Sequence, residues 1–287
     1  MTAAPEALPL PRHRRSAISR TWAFVRWHAL TAYAVLGFVY LMLPIAVVAL
    51  FSFNDPTGRF NYTWERFTWD NWRNWDGIPG LRDAIVVSLQ IAAIASAAAT
   101  VLGTLIALAL VRYRFRGRGS TNLFIFLPMS TPEIVLGASL LTLFLSFSAP
   151  LGFWTITVAH VMFCISYVVV TVRARLIGFD RHLEEASMDL GANELVTFGR
   201  VTLPLIAPAI LAAFLLCFAL SIDDFVITNF NSGSTVTFPL YVWGAARVGA
   251  PPQVNVIGTA IFALAVIVMI ANIVIQNRRA RAEQGAV

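Results

Sequence analysis

The sequence predicts an all-α, polytopic membrane protein with six spanning helices and both termini in the cytoplasm, and three observations carry that reading. Composition is the first: of 287 residues, 58% are hydrophobic and 13% charged, with a mean hydropathy of +0.72, whereas soluble domains carry roughly 25% charged residues. The second is a set of six apolar runs, each near the ~20 residues that a helix needs to cross a bilayer. The third is where the arginines fall. With the amino terminus inside, the inner segments hold Arg12, Arg14, Arg15, Arg20 and Arg26, then Arg112, Arg114, Arg116 and Arg118, then Arg173, Arg175, Arg181 and Arg200, and last Arg278, Arg279 and Arg281. The outer segments hold only Arg59, Arg66, Arg73, Arg82 and Arg247. That asymmetry is the positive-inside pattern.

Composition also excludes functions. All 21 basic residues are arginine, and a Walker A phosphate loop needs a lysine to reach the nucleotide's β and γ phosphates. The chain is therefore no P-loop ATPase by itself. Its net charge of +6 reflects topology: a nucleic-acid binder needs one basic face, and these arginines are spread over several short segments. Cys164 and Cys217 lie inside apolar runs and read as small core hydrophobes, with no disulfide framework or CxxC metal site.

The elements follow in order. A cytoplasmic segment, 1–29, precedes a transmembrane domain, 30–277, and a cytoplasmic tail, 278–287. The first span, about 30–53, could pass for a signal peptide, but its apolar run exceeds the roughly 7–15 residues of a signal's core; a retained helix is expected. Outside it, NYTWERFTWDNWRNWDGIPG (61–80) mixes Trp64, Trp69, Trp72 and Trp75 with acids and amides. This is either an interfacial aromatic belt or a vestibule whose ring faces attract an organic cation, and Trp72 is the candidate path residue. The second span, about 84–111, carries Ala95, Ala99, Gly103 and Ala107 at intervals of four, a stripe that lets another helix approach closely. The third, about 122–147, contains Pro128 and Pro132, which disrupt regular helix and free carbonyls, and places Glu133 near its middle. The fourth and fifth follow at about 152–177 and 202–222. Asp223 and Asp224 lie toward the outer end of the fifth, and the sixth occupies about 254–276.

A membrane-buried carboxylate is expensive, and such residues usually face a cavity or a partner charge. Glu133 is thus either a structural pair with a neighbouring helix or part of a path. Asp223 and Asp224 are either a solvated helix end or part of the same path. Three acids on one route suit a cation; an anion route would be lined with arginine or helix amino termini. Asn229 and Asn231 could add neutral acceptors.

Between the fourth and fifth spans lies an inner loop, 178–201. Leu183 to Val196 is predicted as one amphipathic helix along the membrane, with Gly191 allowing a bend and Pro204 opening the next span. Here Glu185, Ala186, Gly191, Val201, Leu203 and Pro204 resemble the EAA loop of ABC importer membrane subunits: Glu-Ala-Ala, three residues, Gly, nine residues, Ile, one residue, Leu-Pro. Ser187 and Val201 depart from that pattern by small or isosteric changes. The resemblance implies a six-helix type I ABC importer transmembrane domain in a bacterial plasma (inner) membrane. It also implies a partition of work, in which this loop docks into a separate cytoplasmic ATPase. Glu184, Glu185, Ala186, Ser187, Gly191, Glu194, Leu203 and Pro204 are the candidate coupling residues, Glu194 being either a charged contact or merely solvated. No cofactor is expected in this chain, ATP and Mg being held by the partner. The partners implied are a second homologous permease, two ATPase subunits and an extracytoplasmic solute-binding protein.

A narrower resemblance runs from about residue 30 to 275. RYRFRGRG (112–119), PEIVLGASLL (132–141), SIDDF (221–225) and ARVGAPPQVNVIGT (246–259) look like the spermidine/putrescine importer permeases, which implies polyamine cargo. The alternatives are the same type of importer permease for another small organic or inorganic solute and an ion-coupled secondary transporter, but the latter would show repeated broken helices and has no reason to carry the EAA spacing. A membrane enzyme is a third, and His13, His28, His160 and His182 are scattered without HExxH or GxSxG context.

Overall fold

A computed structural model describes residues 17–58 and 60–284, with side chains from residue 28 onward apart from residues 59, 268, 272, 273 and those from 275. Arg12, His13, Arg14, Arg15 and Arg59 lie outside the described residues, as do the side chains of Arg20, Arg26, Arg278, Arg279 and Arg281. In chain order the helices are α1 (Ala17–Phe51), α2 (Asp70–Arg73), α3 (Leu81–Arg112), α4 (Arg118–Ser130), α5 (Glu133–Ser146), α6 (Phe153–Ile177), α7 (His182–Asp189), α8 (Glu194–Thr197), α9 (Leu203–Asp223), α10 (Val226–Asn231), α11 (Phe238–Val248) and α12 (Pro252–Gln284). Among the described residues there is no strand, only an isolated antiparallel bridge between Asn54 and Phe67. Five stretches are long and apolar enough to cross a membrane, and α4 with α5 makes a sixth, bent by 110°.

The helices form two compact units. The first takes in the described residues of Met1–Asp55 with Trp64–Arg73 and those of Asn255–Val287. Its aromatic cluster closes the end of α1: Phe53 stacks on Phe67 and Trp72 and meets Trp69 edge-on. The Asn71 amide donates to the Ser52 and Asn54 carbonyls at 3.1 and 2.8 Å, which satisfies backbone acceptors freed where the helix stops.

The second unit, Pro56–Thr63 with Asn74–Val254, holds the core. There α3, α6 and α9 pack mutually. The small-residue stripe explains how closely: Ala95, Ala99 and Ala107 are fully buried, and a Cβ on Gly103 would stand 2.6 Å from Val168 Cβ and 3.2 Å from the Ile165 carbonyl. The thiols of Cys164 and Cys217 are buried in the same layer, each aimed at the other's carbonyl.

Three sequence expectations need correction. The third span is not one helix over 122–147: Thr131 is extended (φ −82°, ψ 134°) between α4 and α5, the conformation that a following proline imposes. Glu133 therefore sits in the first turn of α5, not mid-helix. The loop helix does not run from Leu183 to Val196. It stops at Asp189, Gly191 takes φ +91°, and a new helix begins at Glu194, capped by Asn193 Oδ1 accepting from the Val196 N–H at 2.9 Å. Nor does Pro204 open a span. The helix is continuous from Glu194 to Asp223 through a π-turn at Phe198–Thr202, where the Leu203 N–H bonds to the Phe198 carbonyl. A wider turn absorbs the N–H that proline lacks. The sequence reading also leaves the stretch between the fifth and sixth spans without elements, where α10 and α11 form.

Candidate functional site

Two places in the second unit gather polar side chains. The first is a cavity of about 550 Å³ walled by the α4–α5 break (Pro128, Met129 and Thr131 to Glu133, with Leu136), Phe163 and Tyr167 of α6, and Leu220, Asp223, Asp224 and Phe225 to Ile227 at the α9–α10 junction. Glu133, Asp223 and Asp224 thus share one wall system, though they come from chain segments some ninety residues apart. What joins them is the packing of α5 on α10. A Cβ on Gly137 would lie 2.8 Å from Phe230 Cδ2 and 3.3 Å from Ile227 Cα, and the buried Asn231 amide donates to the Ile227 carbonyl at 2.8 Å and the Gly137 carbonyl at 3.4 Å. Asn231 is therefore a fastener, while Asn229 is exposed.

The two adjacent aspartates do different things. Among the described residues neither Glu133 nor Asp223 makes an ion pair, and both are exposed toward the cavity. Asp224, whose side chain is 6% exposed, is committed inward. Its carboxylate accepts from the Ile227 N–H at 3.4 Å and from the Thr228 N–H and hydroxyl at 2.8 Å each, capping α10. Beneath it lies His160, 1% exposed, with Nε2 at 3.3 Å from Asp224 Oδ2 and 3.0 Å from Thr228 Oγ1, and Nδ1 at 2.6 Å from Ser221 Oγ. The Thr228 hydroxyl spends its proton on Asp224, so both neighbours of Nε2 present lone pairs, and Nε2 carries the ring proton. Sequence reasoning set His160 aside as isolated. The available signal was a lone ionisable residue inside an apolar span, which needs a partner.

Trp72 belongs to the other unit. It is half-buried, its ring stacks on Phe53 and its Nε1–H donates to Ser52 Oγ at 3.2 Å.

The second place is the loop after α6. Glu184 and Glu185, adjacent on α7, differ in burial and partners. Glu184 accepts hydrogen bonds from Arg112 Nη2 and the Thr202 hydroxyl, with its side chain 14% exposed. Glu185 is exposed and 3.1 Å from His182 Nδ1. Ser187 Oγ meets Thr197 Oγ1 at 3.2 Å, tying α7 to α8. Ala186, Gly191, Glu194, Leu203 and Pro204 are exposed, and Leu190 and Leu195 present almost their whole side chains. A cleft of about 250 Å³ runs along this loop beside Arg112, Arg181, Glu184, Glu185, Met188 and Glu194. Acidic groups and exposed apolar side chains thus stand side by side along this loop. No group of side chains fit to hold a metal ion occurs among the described residues.

Comparison with known proteins identifies the family. The family described as "Binding-protein-dependent transport system inner membrane component" matches residues 99–283. The chain is 36% identical over 254 residues to the spermidine/putrescine transport system permease protein PotC of Haemophilus influenzae, which covers 88% of this chain and 98% of that one. It is 41% identical over 241 residues to the putrescine transport system permease protein PotI of Escherichia coli, covering 79% and 83%. Among solved structures, a bacterial ABC transporter involved in the import of the acidic polysaccharide alginate superposes with a TM-score of 0.64 at 14% identity, over 91% of this chain and 99% of that one; at that identity the likeness is one of fold. With its broken third span, its exposed loop after the fourth and these relatives, the chain belongs to the family of binding-protein-dependent transport system inner membrane components.

Proposed function

We propose that this chain is one of two homologous permease subunits in an ATP-driven importer of polyamines, spermidine or putrescine. The observation that carries the cargo is the pair Glu133 and Asp223, two carboxylates without an ion-pair partner among the described residues, in one cavity. The names borne by its relatives point the same way. A flexible polycation needs attractive contacts that are few and separable, so that it can enter and leave. Phe163, Tyr167 and Phe225 add ring faces to the same wall, which favour alkylammonium groups. Asp224, held by His160 and the start of α10, shapes the wall. Trp72, with its N–H and ring already engaged, is proposed as part of an aromatic wall on the binding-protein side rather than as a direct ligand.

A solute-binding protein outside the membrane would deliver the polyamine, and two ATPase subunits, which hold the ATP and Mg, would dock on the cytoplasmic side. Glu185, Ala186, Gly191 and Glu194 form the proposed docking face, since they are exposed on or beside α7; Ser187 supports it by holding α7 to Thr197 of α8, and Leu203 and Pro204 support it from the base of α9. Coupling requires an element whose arrangement both sites bias, and α7, a short helix bonded through Ser187 to Thr197 near the start of a 30-residue helical run, is of that kind.

The test is uptake of labelled spermidine and putrescine by the complete complex in vesicles. Glu133→Gln with Asp223→Asn is expected to lower uptake by roughly 10–100-fold, the loss of one or two charge-assisted contacts, with the complex still assembling. Normal uptake in that double variant would remove the acidic path.

A further inference from the structure

We propose that Arg112 and Glu184 form the joint through which the docking loop moves the membrane helices, Glu184 being a positioning residue rather than a contact for the ATPase. The inference rests on the coupling role proposed above and adds a residue, Arg112, that the loop's sequence pattern does not contain. Three elements meet at one carboxylate oxygen. Arg112 is the last residue of α3, Glu184 lies in the first turn of α7, and Thr202 is in the π-turn that leads into α9. Glu184 Oε1 accepts from both Arg112 Nη2 and the Thr202 hydroxyl, and that guanidinium nitrogen is itself 3.3 Å from Thr202 Oγ1.

Burial separates this pair from ordinary surface charge. Thr202 is fully buried, and the side chains of Glu184 and Arg112 are 14% and 27% exposed. Glu185, one position on, is 61% exposed. A partly desolvated pair with a third hydrogen-bonding partner holds its geometry, whereas an exposed pair is loosened by solvent and salt. The helices at the two ends of the joint pack directly on each other and on α6. A displacement of α7 therefore either carries the ends of α3 and α9 with it or breaks the joint. The other groups around the cleft, Arg181, Glu185 and Glu194, form no ion pair with Arg112 or Glu184.

The experiment uses the full complex in vesicles, with two readouts: spermidine taken up per ATP hydrolysed, and the stimulation of ATP hydrolysis by the binding protein. Glu184→Arg and Arg112→Glu should each lower both by about tenfold while the ATPase still copurifies. The exchanged pair Arg112→Glu/Glu184→Arg should recover at least a third of the wild-type ratios, which separates the joint from a general loss of folding. Thr202→Val should give a loss of two- to threefold. Unchanged ratios in both single variants would overturn the joint, as would an exchanged pair no better than the singles. Loss of ATPase copurification in Glu184→Gln, a variant that keeps the side chain's shape, would make Glu184 a docking contact instead. If the wild-type complex takes up no polyamine, the cargo assignment fails, while the stimulation readout still tests the joint.

Discussion

Replacing His160 by leucine should be among the costliest single changes in the second unit, and its size follows from the hydrogen bonds on the page. The ring is 1% exposed and serves three neighbours: Ser221 through Nδ1, and Thr228 and Asp224 through Nε2. Leucine serves none. The Ser221 hydroxyl, 4% exposed, loses its partner, and a stranded buried polar group costs about 1–3 kcal/mol. Asp224 keeps two backbone N–H groups and the Thr228 hydroxyl but loses the His160 Nε2–H beside its charge, for which about 2–3 kcal/mol is a fair measure. The sum, about 3–6 kcal/mol, overlaps the roughly 3–5 kcal/mol that breaking a buried pair from one side costs. Thermal unfolding of the detergent-solubilised complex would read it. Val158→Ala, on an exposed face of the same helix, is the control and should shift stability by no more than about 0.5 kcal/mol. His160→Gln, which restores one donor but not both functions of the ring, should fall between. Because His160 does not line the cavity, uptake should fall in maximal rate more than in apparent affinity. A His160→Leu complex as stable as the Val158→Ala control, or one with weakened affinity at full rate, would refute the reasoning.

Two further predictions concern glycines. Gly103→Leu should force α3 and α6 apart, since even a Cβ there comes within 2.6 Å of Val168; a destabilisation of at least about 1–3 kcal/mol should show as a lower unfolding temperature and poor recovery of the complex. Gly191→Val meets open space but must adopt φ +91°, a strain of about 1–2 kcal/mol. Its stability loss should be modest, while ATPase copurification or ATP-linked uptake falls sharply; a variant with normal uptake would remove Gly191 from the docking face.

The sequence made the long apolar runs legible because a bilayer imposes one length on every span. It also made the loop after α6 legible, because its glycine, its Leu-Pro and the acids before them sit at fixed intervals. Pro128 and Pro132 announced an interruption, but not that Thr131 would turn the chain through 110° and leave Glu133 at a helix start. What stayed hidden was mostly pairing at a distance. Arg112 and Glu184 are 72 residues apart, and His160 lies 61 and 68 residues before Ser221 and Thr228; no local period encodes such meetings. Asp223 and Asp224 look equivalent in the sequence, and only the fold separates a free carboxylate from a capping one. The short helices α10 and α11 escaped for a simpler reason, since six and eleven residues are too few to stand out among longer apolar runs.

The break between α4 and α5 has an electrostatic consequence for whatever passes it. An unbroken helix would have carried its aligned peptide dipoles past this depth with no end exposed. Because the chain restarts at Glu133, the amino end of the fourteen-residue α5 opens at that carboxylate, and a helix amino end bears roughly half a positive charge. The carboxylate is partly offset by its own helix before any cation arrives. An ammonium group on the proposed path would therefore meet a softened attraction, and a softened attraction favours brief occupancy and fast departure over storage.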